Sequence, residues 1–441
     1  MVTRRRFLGA IGLPAAAAAG QSLLPARLDA ITPGTDTRRR LEQLSSTPGD
    51  AKRIARDEDF WAEVQNAFTV DRSMVNLNNG GVSPTPGHVL DAMKRDLDYA
   101  NQMPVYNGWK ILEPQREGVR ERMAREWGVD AEEVALTRNA SESLQILQFG
   151  HDLSDGAEVL TTNQDYPRMI NTFEQRERRE GIRLKQISLP VPAEDDAEVV
   201  RRFEEAITPR TELILMCHMI NLTGQILPVK EVTAMAREHG IPVIVDGAHA
   251  LAHFEFDIAD LEVDNYSTSL HKWLFAPIGN GLLYVRKEKI PEIWPLMAAD
   301  VSQDDDIRKF EEIGTHPEAN FLAVGEALTF HQLIGGKRKE QRLIYLRDYW
   351  AKELRRHERV RLHTSLKPGY ACGIANVEIR GVAPGDLFSW LWSEHQIRTT
   401  PIVHDEFRGI RVSPSVYTTP EELDRFVDAM RTVADGGLPT A

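Results

Sequence analysis

Short apolar runs and amphipathic stretches alternate through the middle of the chain. Strand-like runs at 134–137, 158–162, 184–189, 212–219 and 241–245 are mostly rich in Val, Ile and Leu. Between them, at 139–149, 168–179, 197–207 and 230–239, apolar residues recur every three or four positions, the spacing of one helix face. This alternation predicts an α/β fold, a mostly parallel sheet flanked by helices. Upstream, 86–100 and 111–127 read as two further amphipathic helices, and residues 20 to about 70 as a polar linker with a first short helix. After residue 285 the pattern changes. A long helical stretch at 319–357, interrupted at Gly335-Gly336, precedes strand-like pieces at 374–379 and 410–412 and helical ones at 386–395 and 420–433. The predicted organisation is a leader (1–19), a linker and helical segment (20–75), a large domain (76–320) and a smaller C-terminal α+β domain (321–441).

Within the large domain one stretch carries chemistry. Val243-Ile244-Val245 runs into Asp246-Gly247-Ala248-His249, which predicts a central strand delivering a carboxylate at its C-terminal end, where open α/β sheets bind ligands. Ser269-Leu270-His271-Lys272 follows, and the strand-like 279–285 closes the unit. Lys272 sits between hydroxyl-bearing and apolar residues, an unusual address for a lysine. Upstream, Asn139-Ala140-Ser141-Glu142 turns a strand into a helix through small polar residues, which offers backbone N–H groups and hydroxyls to an anion, or simply a helix cap from Ser141. A strand-end acid, a sheltered amine and a phosphate turn are together what pyridoxal 5′-phosphate (PLP) requires. Asp246 would keep the ring nitrogen protonated, Lys272 would form the Schiff base, and Ser141, Ser269, His271 and the Ala140 N–H would hold the phosphate. His249 and His253, four apart, lack a flanking acid motif and read as core or cofactor-facing histidines and not as metal ligands, so no metal is expected.

Charge and composition narrow the partners. A formal net charge of −13 over 441 residues argues against a nucleic-acid partner, since phosphate backbones need concentrated Lys and Arg. The N-terminus departs from this background: Thr3-Arg4-Arg5-Arg6-Phe7 precedes an alanine-rich run ending at Ala19, the pattern of a twin-arginine (Tat) export signal. An ordinary basic N-terminus or a mitochondrial presequence are the alternatives, with a cytoplasmic location for the former. The run is too short for a comfortable membrane span. Cys217 and Cys372, the two cysteines, both lie at apolar strand-like runs and read as buried thiols.

The order phosphate turn, strand-end acid, then Ser269-Leu270-His271-Lys272 resembles the class V aminotransferases, fold-type I PLP enzymes, and within them the isopenicillin N epimerase-like branch. Arg411-Val412-Ser413 and Tyr417-Thr418-Thr419 support the resemblance, which runs from about residue 75 to the C-terminus. It implies a large domain with a seven-stranded sheet and a homodimer with sites at the subunit boundary. It also implies roles: Tyr166 stacking on the cofactor ring, His249 near its phenolic oxygen, Thr315 reaching the partner's phosphate, Asn79 and Gly80 closing over the substrate, and Arg411 pairing with the substrate carboxylate. The implied substrate is the amine of an amino acid or of an amino-acid-derived or peptidic metabolite, and with the leader, a periplasmic one. Transamination, epimerisation and C–S lyase chemistry all fit these residues. Cysteine desulfurase chemistry does not, because Cys372 has no evident basic neighbour or helix dipole to lower its pKa. A non-catalytic binding protein of the same fold would be expected to lose Lys272 or Asp246, and both are present.

Overall fold

The computed structural model describes residues 35–438; the proposed twin-arginine leader lies outside them. The large sheet has seven strands: β2 (Val134–Thr137), β3 (Glu158–Thr162), β4 (Arg183–Ile187), β5 (Thr211–Cys217), β6 (Val243–Asp246), β7 (Asn265–Ser269) and β8 (Gly281–Val285). Their order is β2-β8-β7-β6-β5-β3-β4, with β6 in the centre. The five strands from β7 through β4 are mutually parallel and β8 is antiparallel to both neighbours, so the sheet is mostly parallel, as the alternation predicts. The crossover helices Ala140–Gly150, Pro167–Glu180, Asp196–Ala206 and Val229–Glu238 match the predicted amphipathic stretches within one or two residues.

Two departures have physical causes. The helix expected over 111–127 is instead a π-helical segment at Pro104–Leu112, a 3-10 turn at Glu113–Gln115 and an α-helix only from Arg116. Pro114 lacks the N–H that a continuous α ladder through that stretch would use. The second departure is β7, Asn-Tyr-Ser-Thr-Ser, which hydropathy does not mark as a strand yet which is buried throughout. Its Asn265 and Thr268 side chains find partners inside the sheet, whereas the buried Ser267 hydroxyl has none among the described residues. The Asn265 amide donates to the Val243 carbonyl (3.0 Å) and accepts from the Val245 N–H (3.3 Å), and the Thr268 hydroxyl donates to the Gly247 carbonyl (3.0 Å). Asn265 thereby supplies rungs between β6 and β7, whose backbone pairing is confined to Asp246 opposite Ser267.

The smaller domain is a four-stranded antiparallel sheet, in the order β12 (Thr400–Val403), β13 (Arg408–Val412), β10 (Ala375–Ile379), β9 (Val360–Leu362). The predicted long helix is two, Glu318–Ile334 and Gly336–Leu354, parted at Gly335 with φ 88°. Phe321, Val324 and Phe330 of the first pack into the core under the large sheet, whereas Leu346, Trp350 and Leu354 of the second pack in the small-domain core. A two-residue strand, β1 (Val75–Asn76), pairs in parallel with β11 (Ile397–Arg398), so the chain enters the large domain by way of the small one. Among the described residues no helix is long and apolar enough to cross a membrane.

Trp350 is fully buried and meets Phe426 edge-on at 5.5 Å. Trp350→Ala is expected to cost about 3–5 kcal/mol through the lost contacts and the cavity left behind. Chemical denaturation of the two proteins checks this.

Candidate active site

The C-terminal ends of β5, β6 and β7 open onto a cavity of about 500 Å³, a volume suited to a small organic ligand. Two glycines let its walls close up. A Cβ at Gly247 would lie 2.1 Å from the Tyr266 ring, and one at Gly281 would lie 2.6 Å from the Asn139 backbone. Only glycine therefore allows Tyr266 to pass under the strand end and the helix Ala140–Gly150 to press its N-terminus against β8. That helix is capped by Asn139, whose side chain accepts from the Glu142 N–H at 2.9 Å. Ser141 is therefore not the cap, and its side chain lines the cavity instead.

Asp246 stands at the end of β6, 4% exposed, with Oδ1 accepting from the Ala248 N–H at 2.9 Å. Burial pushes its pKa up to about 6, against that hydrogen bond and the Lys272 charge, which both favour the carboxylate. Lys272 Nζ lies 3.0 Å from His249 Nε2. Enclosure in the cavity wall lowers the amine to about 8, partly opposed by the Asp246 charge. Burial and the neighbouring cations Lys272 and Arg411 hold His249 well below the usual histidine range, so its imidazole is neutral at pH 7. His253 does not line the cavity. Its ring stacks on Trp273 at 3.6 Å, Nδ1 bonds the His249 carbonyl at 2.7 Å, and Nε2 accepts from the Gly373 N–H at 2.9 Å.

Asn139, Ala140, Ser141, Ser269 and His271 line the cavity together beside the helix N-terminus. The Ala140 N–H, expected at the phosphate, instead donates to Ser269 Oγ at 3.0 Å, which leaves the Ser269 hydroxyl proton to donate elsewhere. Tyr166, at the N-terminus of the helix Pro167–Glu180, and Gly80 also line it. Arg411, from β13 of the small domain, completes the wall. It is 6% exposed, and its guanidinium bonds the Asn221 carbonyl (3.0 Å) and Asn78 Oδ1 (2.9 Å) and no carboxylate. Burial lowers it to about 10, still a full cation at neutral pH.

The Asn79 side chain stands apart from the cavity, and Thr315, expected at a partner subunit's phosphate, lies outside this chain's own cavity. The Asn79 side chain is buried and turned into the domain seam, where Oδ1 accepts from the Tyr417 hydroxyl at 2.6 Å and Nδ2 donates to the Ser413 carbonyl at 3.0 Å. Thr315 is exposed on the loop before Glu318–Ile334. That loop is anchored by buried ion pairs, Arg120 to Glu311 and Arg116 to Glu318, both at 2.6 Å. Residues that sequence reasoning passed over also line the cavity, among them Cys217, Asn221, Arg168 and Gly81. Cys217 pairs in register with Asp246, a position that strand order alone would have supplied.

Residues 75–426 match the family described as Aminotransferase class-V. The chain belongs to that family. This class V enzyme is 27% identical over 387 residues to isopenicillin N epimerase of Streptomyces clavuligerus, covering 84% of its own chain and 97% of the relative. It is 26% identical to a cysteine desulfurase of Haloferax volcanii, covering 81% and 88%. Among solved structures it superposes on a variant of the cystine C-S lyase C-DES with glycine covalently linked to its PLP cofactor, at TM-score 0.74 and 22% identity over 84% of this chain and 99% of that one. The class V enzyme thus has the fold-type I architecture and takes PLP. Its residues fit that cofactor: an acid with a raised pKa at the strand end, a half-buried amine of lowered pKa with no carboxylate partner among the described residues, and hydroxyls around a helix N-terminus. The His249 Nδ1 and Asn221 Oδ1 atoms, buried without partners, add polar positions for it to meet.

With a pKa of about 8, roughly a tenth of Lys272 is free amine at pH 7 and about nine-tenths at pH 9. Capture of added PLP by the cofactor-free protein should therefore accelerate up to about tenfold across that window, read from the visible band, and Lys272→Ala should show no such band. Asn78→Ala removes the acceptor for one Arg411 nitrogen. It is expected to weaken binding of hexanoate, a simple carboxylate, about three- to tenfold by calorimetry.

Proposed function

We propose that this protein is an exported PLP enzyme that acts on the amine of an amino acid, or of an amino-acid-derived or peptidic metabolite, by transamination-type chemistry. One observation carries the reading: Lys272, Asp246 and Arg411, from two strand systems of different domains, face one cavity. PLP, when bound, supplies the electron sink that makes a proton on the carbon bearing the amine acidic. Arg411 offers a carboxylate a planar, bidentate fork, which fixes the substrate's orientation. Lys272 then moves the proton at that carbon, and neutral His249 accepts a hydrogen bond from its amine. Asp246 holds charge at the opposite end of the site.

Desulfurase chemistry lacks its nucleophile. Cys372 is 1% exposed and burial pushes its thiol above the usual range. Cys217 reaches the cavity but lies at a strand end beside Asp246, where burial and acidic neighbours raise its thiol well above the ordinary value. Epimerisation is the second reading, supported by the likeness to the Streptomyces clavuligerus epimerase along 84% of the chain. Export rests on the Thr3-Arg4-Arg5-Arg6-Phe7 leader. A homodimer is supported by the apolar side chains exposed at Met103, Tyr106 and Ile278, the last of which also lines the cavity.

The test is exchange of the α-hydrogen for deuterium across a panel of amino acids, with and without a keto-acid acceptor. Exchange in the native protein that Lys272→Ala abolishes supports the reading; keto-acid formation marks transamination, and racemised substrate marks epimerisation. If no panel member exchanges or forms keto acid, the reading fails.

A further inference from the structure

A second cavity, of about 390 Å³, is walled by the segment 252–257 and shares no lining residue with the candidate active site. Ala252 adjoins His253, whose ring stacks on Trp273, so this cavity backs onto the lysine loop. Four acids line it, Glu126, Glu255, Asp257 and Asp260, and no lysine or arginine does. The lysines whose charges reach these acids are engaged elsewhere. Lys337 bonds both Glu340 oxygens at 2.9 Å, Lys230 pairs with Glu262 at 2.7 Å, and Lys339 bonds the Trp273 carbonyl at 2.7 Å. Glu255 by itself has a structural use at the N-terminus of the helix Gly336–Leu354, where a Cβ on Gly336 would lie 2.7 Å from its Oε1. Asp257 and Asp260 have none, since neither side chain has a hydrogen bond or ion pair among the described residues.

The remaining walls indicate which cation would fit. Trp127, Phe254 and Phe256 present aromatic rings, the surface on which ammonium groups settle. His331 also lines the cavity; its side chain is 8% exposed, and neither ring nitrogen makes a hydrogen bond among the described residues. Nε2 is the nitrogen on the cavity side. It lies 3.8 Å from Glu126 Oε1 and 3.4 Å from where a Cβ on Gly336 would stand, and both residues line the cavity. Burial, with the Lys339 charge, holds this imidazole well below the usual histidine range, so it is neutral at pH 7 and can offer Nε2 as an acceptor. An enclosed acceptor without a donor, among carboxylates and rings, suits a cation that carries N–H groups on an apolar chain. Among the described residues no set of His, Cys, Asp and Glu converges as metal ligands, which favours an organic cation over a metal ion.

We infer that this second cavity is a binding site for an aliphatic diamine or polyamine. Its protonated amines donate to the carboxylates and to His331 Nε2, and its alkyl chain lies on the three rings. The site is independent of the chemistry proposed at Lys272.

A tertiary diamine tests this, because it is doubly charged at pH 7, keeps its N–H donors and cannot condense with the cofactor's aldehyde. The PLP-loaded protein is titrated by calorimetry at physiological ionic strength with tetramethylputrescine, and with dimethylbutylamine as the single-charge control. The diamine is expected to bind at one site, about fivefold or more tightly than the monoamine, the gain of a second charge-assisted contact. Asp257→Asn combined with Asp260→Asn keeps the side-chain shapes and should weaken the diamine about fivefold or more. Asp304→Asn combined with Asp305→Asn removes the same charge from an exposed patch elsewhere and should leave the affinity unchanged. Magnesium chloride at the diamine's concentration should not displace it. Equal affinity for the two amines, no binding of either, equal weakening by the two pairs of substitutions, or displacement by magnesium overturns the inference.

Discussion

Everything at the site depends on enclosing a lysine amine next to a neutral imidazole. Lys272 has His249 at 3.0 Å, and among the described residues no carboxylate within 4.0 Å. A paired carboxylate would hold the ammonium charged; enclosure without one moves the amine toward its free form near neutral pH. The arrangement is held by a closed circuit of contacts. His249 meets Lys272, the His249 carbonyl meets His253, and His253 stacks on Trp273, the residue after the lysine. Buried Lys339 ties the Trp273 carbonyl at 2.7 Å from the neighbouring helix. The amine is thus positioned by backbone and ring contacts that carry no negative charge, which leaves its pKa low.

The two domains are joined at the same point. From Val75 to Ser83 the chain is a strap: β1 pairs with β11, the Ser413 N–H donates to the Leu77 carbonyl at 2.7 Å, and Asn78 Oδ1 accepts from both Thr400 and Arg411. Gly80 and Gly81 then border the cavity, and the Ser83 N–H donates to the His271 carbonyl at 3.1 Å, one residue from the lysine. A single stretch therefore touches the small-domain arginine at one end and the lysine loop at the other. Asn79 belongs to this strap, which explains why its side chain is spent on Tyr417 and Ser413 and not on the cavity.

Legibility followed hydropathy and local chemistry. β6 was plain because Val-Ile-Val before an acid has few other uses, and the crossover helices because their apolar faces repeat. β7 was hidden because a buried polar strand is stabilised by side-chain partners, such as Asn265 with Val243 and Val245, that come from elsewhere in the sequence. The same reason hid Asn78 and Asn221, which become site residues only when the small domain brings Arg411 to them. Lys272 and Asp246 were legible because their residue types and order suit one cofactor, whereas Arg411 was reached only through the resemblance to class V aminotransferases. Asn139 in place of Ser141 as the cap was a choice between adjacent polar residues that hydropathy cannot rank. Thr315, expected at a partner's phosphate, stands on a surface loop whose anchoring by Arg116 and Arg120 is a matter of tertiary contacts.

The cavity's charges come from strand ends of the large sheet and from elements around it, the small-domain strand β13 and the first turn of a large-domain helix. The acid and the amine that face the cavity both come from strand ends of the large sheet, or one loop beyond, where buried parallel pairing holds them. Arg411 comes from the small-domain sheet and Arg168 from the first turn of a surface helix, outside that sheet. Groups that must meet the reacting bond need positions fixed to fractions of an ångström, whereas a carboxylate held by a guanidinium fork tolerates more. A change at Arg411 can therefore leave the amine and the acid of the large sheet in place. Within a family whose relatives include an epimerase, a lyase and a desulfurase, this separation allows one cofactor frame to serve different substrates.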